Sequence, residues 1–335
     1  MSLEVREFGR GDRLPDFVLP ELSGSLSRFY GVAGGRSAAL IFTDDAELAC
    51  ALEQALPNEV LFFWVSRVPQ SVTLARGRGW VDAEGQLLGL NPAGRSWVWA
   101  LDPNLRVIDG FAPTDRSALI DVLQRPGPDP RAIRRQAPVL LIPEAVDPTI
   151  CAELIAHFER SGHEETGVEQ SAAGRRHLAL APDRKKRRDH VVTDPTLLAE
   201  LTTLIGRRIV PEVQLAFAFR ATRFEGFKLV AYGQGGLFVA HRDNLSPSTA
   251  HRRFALSLNL NDGYQGGELR FPEYSPDLYQ PGVGGALVFS CSLLHEVLPV
   301  QDGQRHALLS FLFSGEDRRQ KGPAADHSGK AYSRP

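Results

Sequence analysis

The sequence predicts two domains, an α/β domain followed by a mainly β domain. A chain of 335 residues is longer than one hydrophobic core usually organises. In the first half, strand-like apolar segments alternate with a helix-like segment, whereas nearly every segment after about residue 225 resembles a strand. The first pattern predicts an α/β fold and the second a sandwich or barrel.

The composition excludes several classes of protein. Hydrophobic residues make up 43% and charged residues 23%, as in ordinary globular proteins, and the net charge of -2 gives no bias toward nucleic acid or membranes. The three cysteines are scattered, so neither a disulfide framework nor a C-x-x-C zinc site is predicted. Without a signal-like or membrane-spanning segment, we expect a cytoplasmic protein with no membrane partner. Nucleic acid is not expected as a partner, and the oligomeric state stays open.

Four elements are predicted in the first half. They are two buried strands, a helix capped by Asp44 or Asp45, and a hairpin: SAALIF (37–42), EVLFFWVS (59–66), DDAELACALEQAL (44–56) and WVWALDPNLRVIDGF (97–111).

The proline-rich segment QRPGPDPRAIRRQAP separates the halves, because proline fixes φ and removes a backbone donor. We therefore predict domains at 1–125 and 138–315, joined by a linker at 126–137. The residues from 316 to 335 are predicted to be a disordered tail.

The second half begins with helices and continues with strands. Asp-Pro pairs open two predicted helices, 148–162 and 195–206, and glycine closes each of them. The predicted strands that follow are FALSLNL (254–260), GGELRF (266–271), GGALVFSCSLLHEV (284–297) and HALLSFLF (306–313).

Polar residues stand on the apolar faces of these strands. Because side chains alternate between the two faces of a strand, His241 and Asp243 are predicted to share the face of Leu237 and Val239. The same count places His295 with Leu287, Phe289, Cys291 and Leu293, and Arg305 with Ala307, Leu309, Phe311 and Phe313. Each polar group would cost several kcal/mol if it were buried without a partner.

A metal ion would remove most of this cost. Two histidines and one carboxylate form the facial triad of non-haem Fe(II) oxygenases, which leaves coordination positions for a 2-oxo acid and O2. If the oxo acid is 2-oxoglutarate, Arg305 can hold its distal carboxylate.

Each residue also has a simpler interpretation. The H-x-D pair could be a strand end that reaches solvent, His295 a hydrogen-bonded core histidine, and Arg305 an edge residue with its head in water. The occurrence of all four on core-facing positions of one domain favours the metal site.

The C-terminal half, about residues 137 to 314, resembles the prolyl 4-hydroxylase-like family of Fe(II)/2-oxoglutarate dioxygenases, including PKHD-type hydroxylases. The matching strings are APVLLIPEAVDPTICAELI, YGQGGLFVAHRDN, LNLNDGYQGGELRFP and GVGGALVFSCSLLHEVLPVQDGQRHALLSF. The resemblance implies a double-stranded β-helix (jelly roll) with flanking helices.

The same resemblance implies roles for single residues. His241, Asp243 and His295 would be the catalytic iron ligands, while Arg305 and Tyr232 would bind 2-oxoglutarate. Fe(II), 2-oxoglutarate and O2 would be required, and ascorbate is an additional candidate cofactor. Related halogenases replace the carboxylate ligand with a small residue, so Asp243 favours hydroxylation over halogenation.

The N-terminal half is similar to peroxiredoxins of the thioredoxin-like fold, through GDRLPDFVLPELSG, AALIF, VDAEGQLLGL and WALDPNLRVIDGF. The peroxidase motif P-x-x-x-T-x-x-C would place its cysteine at Cys50, but its proline and threonine are missing. Asp44, Asp45 and Glu47 would also disfavour a thiolate there. We therefore interpret this half as a degenerate redoxin domain that docks substrate or supports the second domain.

The resemblance leaves four functions open. The first is hydroxylation of a prolyl or other amino-acid side chain in a peptide or protein, with release of succinate and CO2. The alternatives are hydroxylation of a free amino acid or small metabolite, a thiol peroxidase that uses Cys50, and a non-catalytic binding module stabilised by a metal. A basic stretch at 174–190 is interpreted as a solvated loop, with guidance of an acidic substrate or nucleic acid as the alternative.

Overall fold

A computed structural model describes residues 9–91, 95–124, 133, 136–165, 168–172, 175–179 and 181–319. The chain divides between residues 132 and 133 into two compact units. Most of the predicted linker and of the predicted tail lies outside the described residues. Within the described residues, no helix combines the length and the apolar character that a membrane span requires.

The N-terminal unit contains a five-stranded mixed sheet and two α-helices. Its elements are β1 (Val18–Pro20), β2 (Leu26–Arg28), a 3-10 turn (Phe29–Gly31), β3 (Ala38–Phe42), α1 (Ala46–Ala55), β4 (Leu61–Ser66), β5 (Arg78–Val81), a second 3-10 turn (Leu88–Leu90), β6 (Trp97–Leu101), β7 (Val107–Phe111) and α2 (Arg116–Leu123).

The central sheet of this unit has the order β5-β4-β3-β6-β7. The strands β3, β4 and β5 run parallel, and β6 and β7 are antiparallel additions. All five residues of β3 are buried, because apolar clusters cover both faces of the sheet. The Asp45 side chain accepts a hydrogen bond from Leu48 N and caps α1, which decides between the two predicted caps.

The C-terminal unit consists of two large β-sheets with helices. Its elements are β8 (Val139–Ile142), α3 (Pro148–Arg160), β9 (Glu164–Glu165), β10 (Val168–Ala172), β11 (Arg175–Ala179), β12 (Lys185–Lys186), β13 (Arg188–Val191), α4 (Pro195–Arg208), α5 (Val210–Phe217), β14 (Arg223–Phe224), β15 (Lys228–Tyr232), β16 (Leu237–His241), β17 (Phe254–Asn259), β18 (Gln265–Gly266), β19 (Leu269–Arg270), β20 (Leu278–Tyr279), β21 (Ala286–Ser290), β22 (His295–Val297), β23 (Val300–Asp302), β24 (Arg305–Phe313) and α6 (Gly315–Arg319).

The two sheets share one apolar core. The larger has the order β8-β21-β17-β24-β15-β13-β9, with β14 paired to β24, and the smaller has the order β12-β16-β22-β19-β20. From β15 to β24 the chain crosses repeatedly between the two sheets, since β15, β17, β21 and β24 belong to the larger and β16, β19, β20 and β22 to the smaller, as in the predicted jelly roll. Side chains from both sheets meet between them, for example Leu287 and Phe289 of the larger with Leu269 and Val297 of the smaller.

The predicted helix starts are confirmed, and one predicted end is wrong. Asp147 and Asp194 cap α3 and α4 through their side chains. The helix α4 continues through Gly206 to Arg208, because the side chains of Leu204 and Ile205 in its last turns are buried. Glycine inside a helix costs only about 1 kcal/mol, so burial outweighs it.

Two predictions in the strand-rich half need correction. The segment 284–297 is not one strand, because the chain leaves the larger sheet after Ser290 and enters the smaller sheet at His295. The tail prediction is wrong at its start, where residues 315–319 form α6. Asp317 there pairs with Arg253 at 2.6 Å.

The turn before β21 depends on a glycine. Gly284 has φ +72°, and a Cβ at this position would lie 1.9 Å from the carbonyl oxygen of Val146. Its backbone donates to Asn259 O and accepts from Val146 N, so the turn cannot move aside without breaking hydrogen bonds.

We expect Gly284→Ala to destabilise the protein by roughly 3 kcal/mol or more, since it combines backbone strain with a steric clash. Gly263→Ala is the matched control, because Gly263 has φ +74° and open space around it. The control should cost only about 1 kcal/mol. Urea unfolding monitored by circular dichroism measures both, and equal losses would contradict the role of the clash.

Candidate metal centre

Two strands of the smaller sheet bring the three predicted ligands together. His241 ends β16, His295 begins β22, and the two residues lie opposite each other in the antiparallel register. Asp243 follows two residues after His241, and its backbone N donates to Cys291 O at 3.0 Å. The potential ligand atoms of the three side chains all lie within 4.8 Å of one another.

The imidazole rings are oriented by backbone carbonyls. The Nδ1 atom of His241 lies 2.8 Å from Val239 O, and the Nδ1 atom of His295 lies 3.0 Å from Leu293 O. A carbonyl oxygen only accepts, so Nδ1 carries the proton in both rings. Each Nε2 atom therefore has a free lone pair, and each lies 3.4 Å from a carboxylate oxygen of Asp243.

The protonation states suit a divalent cation. Burial raises the pKa of Asp243, but its contacts with His241 and His295 and the charge of Arg252 lower that pKa below its usual value. Burial lowers the pKa of His295. At neutral pH the site therefore holds one carboxylate and a neutral imidazole at His295.

The neighbours of His241 differ from those predicted by counting alternate residues. The register shifts between Phe238 and His241, which is a β-bulge. Phe238 therefore stacks on the His241 ring with centroids 3.6 Å apart and lines the same pocket. The prediction that Leu237 shares the face of His241 is wrong, although His241 does point inward.

Arg305 lies in the pocket that contains the three ligands, as predicted. Its side chain comes from the larger sheet, where Arg305 pairs in register with Tyr232. Arg305 is 3% exposed, its Nη2 donates to Ser257 Oγ at 3.3 Å, and its guanidinium lies 5.5 Å from the centroid of the Tyr232 ring. An arginine buried among neutral groups would gain from an anionic ligand, because its charge is otherwise uncompensated there.

Tyr232 also lines this pocket and is 2% exposed. Its hydroxyl oxygen accepts a hydrogen bond of 2.9 Å from Nη1 of Arg187. The hydroxyl proton of Tyr232 therefore remains available for a ligand in the pocket.

Two residues of the basic stretch at 174–190 line this pocket, although the whole stretch was predicted to be a solvated loop. That assignment is wrong for Lys185 and Arg187, whose side chains are 7% and 9% exposed and line the pocket. Arg187 forms a bidentate pair with Asp189, with distances of 2.7 and 3.1 Å. The alternation of Lys185, Arg187 and Asp189 was the available signal, since an acidic residue at the same spacing indicates an inward-facing pair.

Arg252 is a further residue that sequence reasoning missed. It pairs with Glu225 at 2.5 Å, donates to the backbone oxygen of Asp243 at 3.2 Å and lies 3.8 Å from the Phe311 ring centroid. These contacts hold the backbone of the acidic ligand in place.

The residues of this pocket fit the iron ion and the 2-oxoglutarate that the sequence predicts. Two imidazole nitrogens and one carboxylate are the donors of a non-haem iron site, and their Nε2 atoms are already directed at the carboxylate. The pocket has a volume of about 250 Å³ and contains a buried guanidinium besides the donors. It therefore offers both a cation site and an anion site.

The family comparison agrees with this geometry. Residues 227–313 match the family model of the 2OG-Fe(II) oxygenase superfamily. The C-terminal unit therefore contains a 2OG-Fe(II) oxygenase domain, and the matched segment includes all three candidate ligands and Arg305.

Similar proteins are PKHD-type hydroxylases. One from Parvibaculum lavamentivorans is 30% identical over 129 residues, which is 36% of this chain and 59% of that protein. Another from Prochlorococcus marinus is 29% identical over 116 residues, which is 34% of this chain and 52% of that protein. The chain thus spans between half and three fifths of the length of these relatives.

Among solved structures, a prolyl hydroxylase from Trichoplax adhaerens, in complex with a peptide fragment of hypoxia inducible factor, is 15% identical. The match covers 56% of this chain and 88% of that one, with a TM-score of 0.45.

The N-terminal unit contains the cysteine considered for peroxidase chemistry. Cys50 is the fifth residue of α1, and Glu47 lies in the first turn of that helix. Asp44 is paired with Arg67 at 2.5 Å. The cysteine is therefore more than a turn away from the helix N-terminus, where a thiolate would be stabilised.

We expect a divalent cation to raise the thermal stability of the protein by binding the three ligands, with a gain of about 2.7 kcal/mol at a concentration 100 times the Kd. Substitution of His241 or His295 by alanine should abolish this gain. His190→Ala is the control, because His190 belongs to β13 and hydrogen-bonds to Gly162 O. A full metal-induced shift in the His241 variant, measured with Mn(II), would contradict the assignment.

Proposed function

We propose that this protein is an Fe(II)- and 2-oxoglutarate-dependent dioxygenase that hydroxylates a C-H bond. The observation that carries the proposal is the convergence of His241, Asp243 and His295 in one pocket with the buried guanidinium of Arg305. The overall reaction converts substrate, O2 and 2-oxoglutarate to hydroxylated substrate, succinate and CO2. One oxygen atom enters the substrate and the other enters succinate.

The three donor residues would hold the iron and would leave positions for further ligands. Iron bound there would supply the activation of O2 that oxidises the C-H bond. Asp243 and the two Nε2 atoms occupy one side of the site, because their backbone contacts prevent the rings from turning. Phe289, Leu269 and Val297 line the same pocket and make part of it apolar.

Arg305 and Tyr232 are assigned to the cosubstrate. A guanidinium presents parallel N-H donors that match a carboxylate, so Arg305 binds the distal carboxylate of 2-oxoglutarate. Tyr232 donates its hydroxyl proton to the same ligand, since its oxygen already accepts from Arg187. The two residues lie side by side on β15 and β24, which fixes the distance between these donors.

The substrate we propose is a prolyl or other amino-acid side chain in a peptide or protein. The curated relatives are named as PKHD-type hydroxylases, and the prolyl hydroxylase of Trichoplax adhaerens was solved with a peptide. A free amino acid or small metabolite is the second candidate, because the pocket of about 250 Å³ also suits a small molecule. Mass spectrometry of host proteins for protein-dependent additions of one oxygen atom separates the two.

For the N-terminal unit we propose a thioredoxin-like fold with a supporting role. A β-α-β unit, β3-α1-β4, followed by the antiparallel hairpin β6-β7 and a final helix, is the arrangement that this fold requires. The position of Cys50 inside α1 favours a supporting role for the N-terminal unit over redox catalysis by it.

Reconstitution without oxygen, followed by addition of 2-oxoglutarate and air, tests the proposed activity. We expect succinate formation that depends on Fe(II) and is lost in His241→Ala. Succinate at the level of the His241→Ala control, across a broad substrate panel, would refute the dioxygenase.

We expect Arg305→Gln to weaken 2-oxoglutarate binding roughly tenfold to a hundredfold, since hydrogen bonds to charged groups contribute about 1.5–3 kcal/mol. The metal-induced stabilisation should remain, because Arg305 belongs to the other sheet. Arg253→Gln is the control, since Arg253 is an exposed arginine that pairs with Asp317. Calorimetric titration of 2-oxoglutarate into the Mn(II)-loaded protein gives the affinities, and an unchanged affinity in Arg305→Gln would reassign the anion site.

We expect Cys50→Ser to leave any peroxide consumption by the protein unchanged, because neighbouring carboxylates and the position inside α1 both disfavour a reactive thiolate. A coupled peroxide assay on both proteins measures this. Loss of peroxide consumption in the variant would instead support the thiol peroxidase.

A further inference from the structure

Arg187 lies where the chain crosses from the smaller sheet to the larger one. It is the residue between β12, which belongs to the smaller sheet, and β13, which belongs to the larger. Its guanidinium carbon is 5.6 Å from the centroid of the Phe238 ring on the smaller sheet and 5.7 Å from that of the Tyr232 ring on the larger sheet. Arg187 is therefore packed against both walls of the pocket.

Each nitrogen of the Arg187 guanidinium donates a hydrogen bond. Nε and Nη2 donate to Oδ1 and Oδ2 of Asp189 at 2.7 and 3.1 Å, and Nη1 donates to the hydroxyl oxygen of Tyr232 at 2.9 Å. The side chains of Arg187 and Asp189 are 9% and 1% exposed. A planar guanidinium that is held by two bonds to a buried carboxylate has little freedom to turn. The direction of its third bond, to Tyr232, is therefore fixed.

This third bond controls what Tyr232 offers to a ligand. A tyrosine hydroxyl can donate or accept and rotates to suit its partners, whereas a guanidinium only donates. With Nη1 of Arg187 on its lone pair, the Tyr232 hydroxyl is disfavoured from pointing its proton toward the arginine. Tyr232 and Arg305 lie opposite each other on β15 and β24 and line the same pocket, so the hydroxyl proton and the Arg305 guanidinium can reach one ligand.

We propose that Arg187 is a positioning residue that, held by Asp189, keeps the Tyr232 hydroxyl in the orientation that donates to 2-oxoglutarate. Arg187 acts through Tyr232 and does not itself bind the cosubstrate. This inference rests on the proposed function, because that function assigns Tyr232 and Arg305 to 2-oxoglutarate. It extends the cosubstrate site to the buried pair of Arg187 and Asp189.

A double-mutant cycle on 2-oxoglutarate affinity tests the proposal, because such a cycle isolates the interaction between two side chains. The four proteins are the unsubstituted chain, Arg187→Met, Tyr232→Phe and the double variant. Methionine has no donor, so the first substitution removes the bond to Tyr232. Calorimetric titration of 2-oxoglutarate into the Mn(II)-loaded proteins gives the four affinities.

We expect Tyr232→Phe to weaken 2-oxoglutarate binding roughly tenfold, and Arg187→Met to weaken it roughly threefold to tenfold. In the Tyr232→Phe background, Arg187→Met should change the affinity less than about twofold, because no hydroxyl is left to orient. A merely structural effect of Arg187 would be of similar size in both backgrounds.

Arg188→Met is the matched control. Arg188 is the next residue, and its guanidinium donates to Gln304 Oε1 at 3.1 Å and lies 5.8 Å from the centroid of the Phe158 ring. We expect it to leave the affinity within about twofold of the unsubstituted protein.

Arg187→Met leaves the buried Asp189 without its bidentate partner, which could prevent folding. The cycle is therefore repeated with Arg187→Met combined with Asp189→Asn, which removes both charges of the pair. Circular dichroism and the metal-induced stabilisation verify that each variant is folded.

Two results would overturn the proposal alone: an affinity that the Arg187 substitutions leave unchanged, or a loss that is equally large with and without the Tyr232 hydroxyl. The second result would make Arg187 a direct ligand of the cosubstrate or a structural residue. Absence of 2-oxoglutarate binding by the unsubstituted protein would instead refute the proposed function, and this inference with it. The two failures are therefore distinguishable.

Discussion

The pairing of β16 with β22 is the contact on which the metal centre depends. It sets His241 opposite His295 with ring centroids 4.3 Å apart, and Asp243 lies between their Nε2 atoms. Because backbone carbonyls already bind both Nδ1-H groups, the two lone pairs and the carboxylate together form a cation site.

The two sheets of the C-terminal unit contribute opposite halves of the site. The smaller sheet carries His241 and His295, and the larger sheet carries Arg305 and Tyr232, the residues proposed to bind the cosubstrate. Packed sheets lie roughly 10 Å apart, a distance that a metal ion and a short dicarboxylate can bridge. The sandwich thus fixes the separation of the cation and anion sites through its apolar core, without needing contacts between the charged groups themselves.

The sequence predicted those features that local rules govern. The caps Asp147 and Asp194 and the inward position of Arg305 follow from hydrogen-bonding chemistry and strand alternation, and the structure has them. The face of His241 was derived from an alternation that the bulge after Phe238 interrupts. A register shift depends on the partner strand, so counting along one strand cannot reveal it.

Long-range pairing also explains the residues that were missed. Lys185 and Arg187 belong to a charged stretch that resembles a solvated loop, and they are buried because β12 adds to the edge of the smaller sheet beside β16. The burial of Arg252 depends in the same way on Glu225, which is distant in the chain. No local pattern reveals the burial of Arg252, whereas the alternation of Lys185, Arg187 and Asp189 was a local signal for an inward-facing pair.

Burial of Lys185 has a cost to the stability of the folded protein. The pKa of Lys185 falls from 10.5 to about 8 on folding, which corresponds to a penalty on the order of 3 kcal/mol for the folded state at pH 7. Since the unfolded chain holds the proton more tightly, this penalty diminishes as the pH rises from about 8 to 10.5. An apolar residue of similar volume at this position would avoid the penalty. The carboxylate of Asp189, whose Oδ2 lies 3.8 Å from the Nζ atom of Lys185, offsets part of this cost.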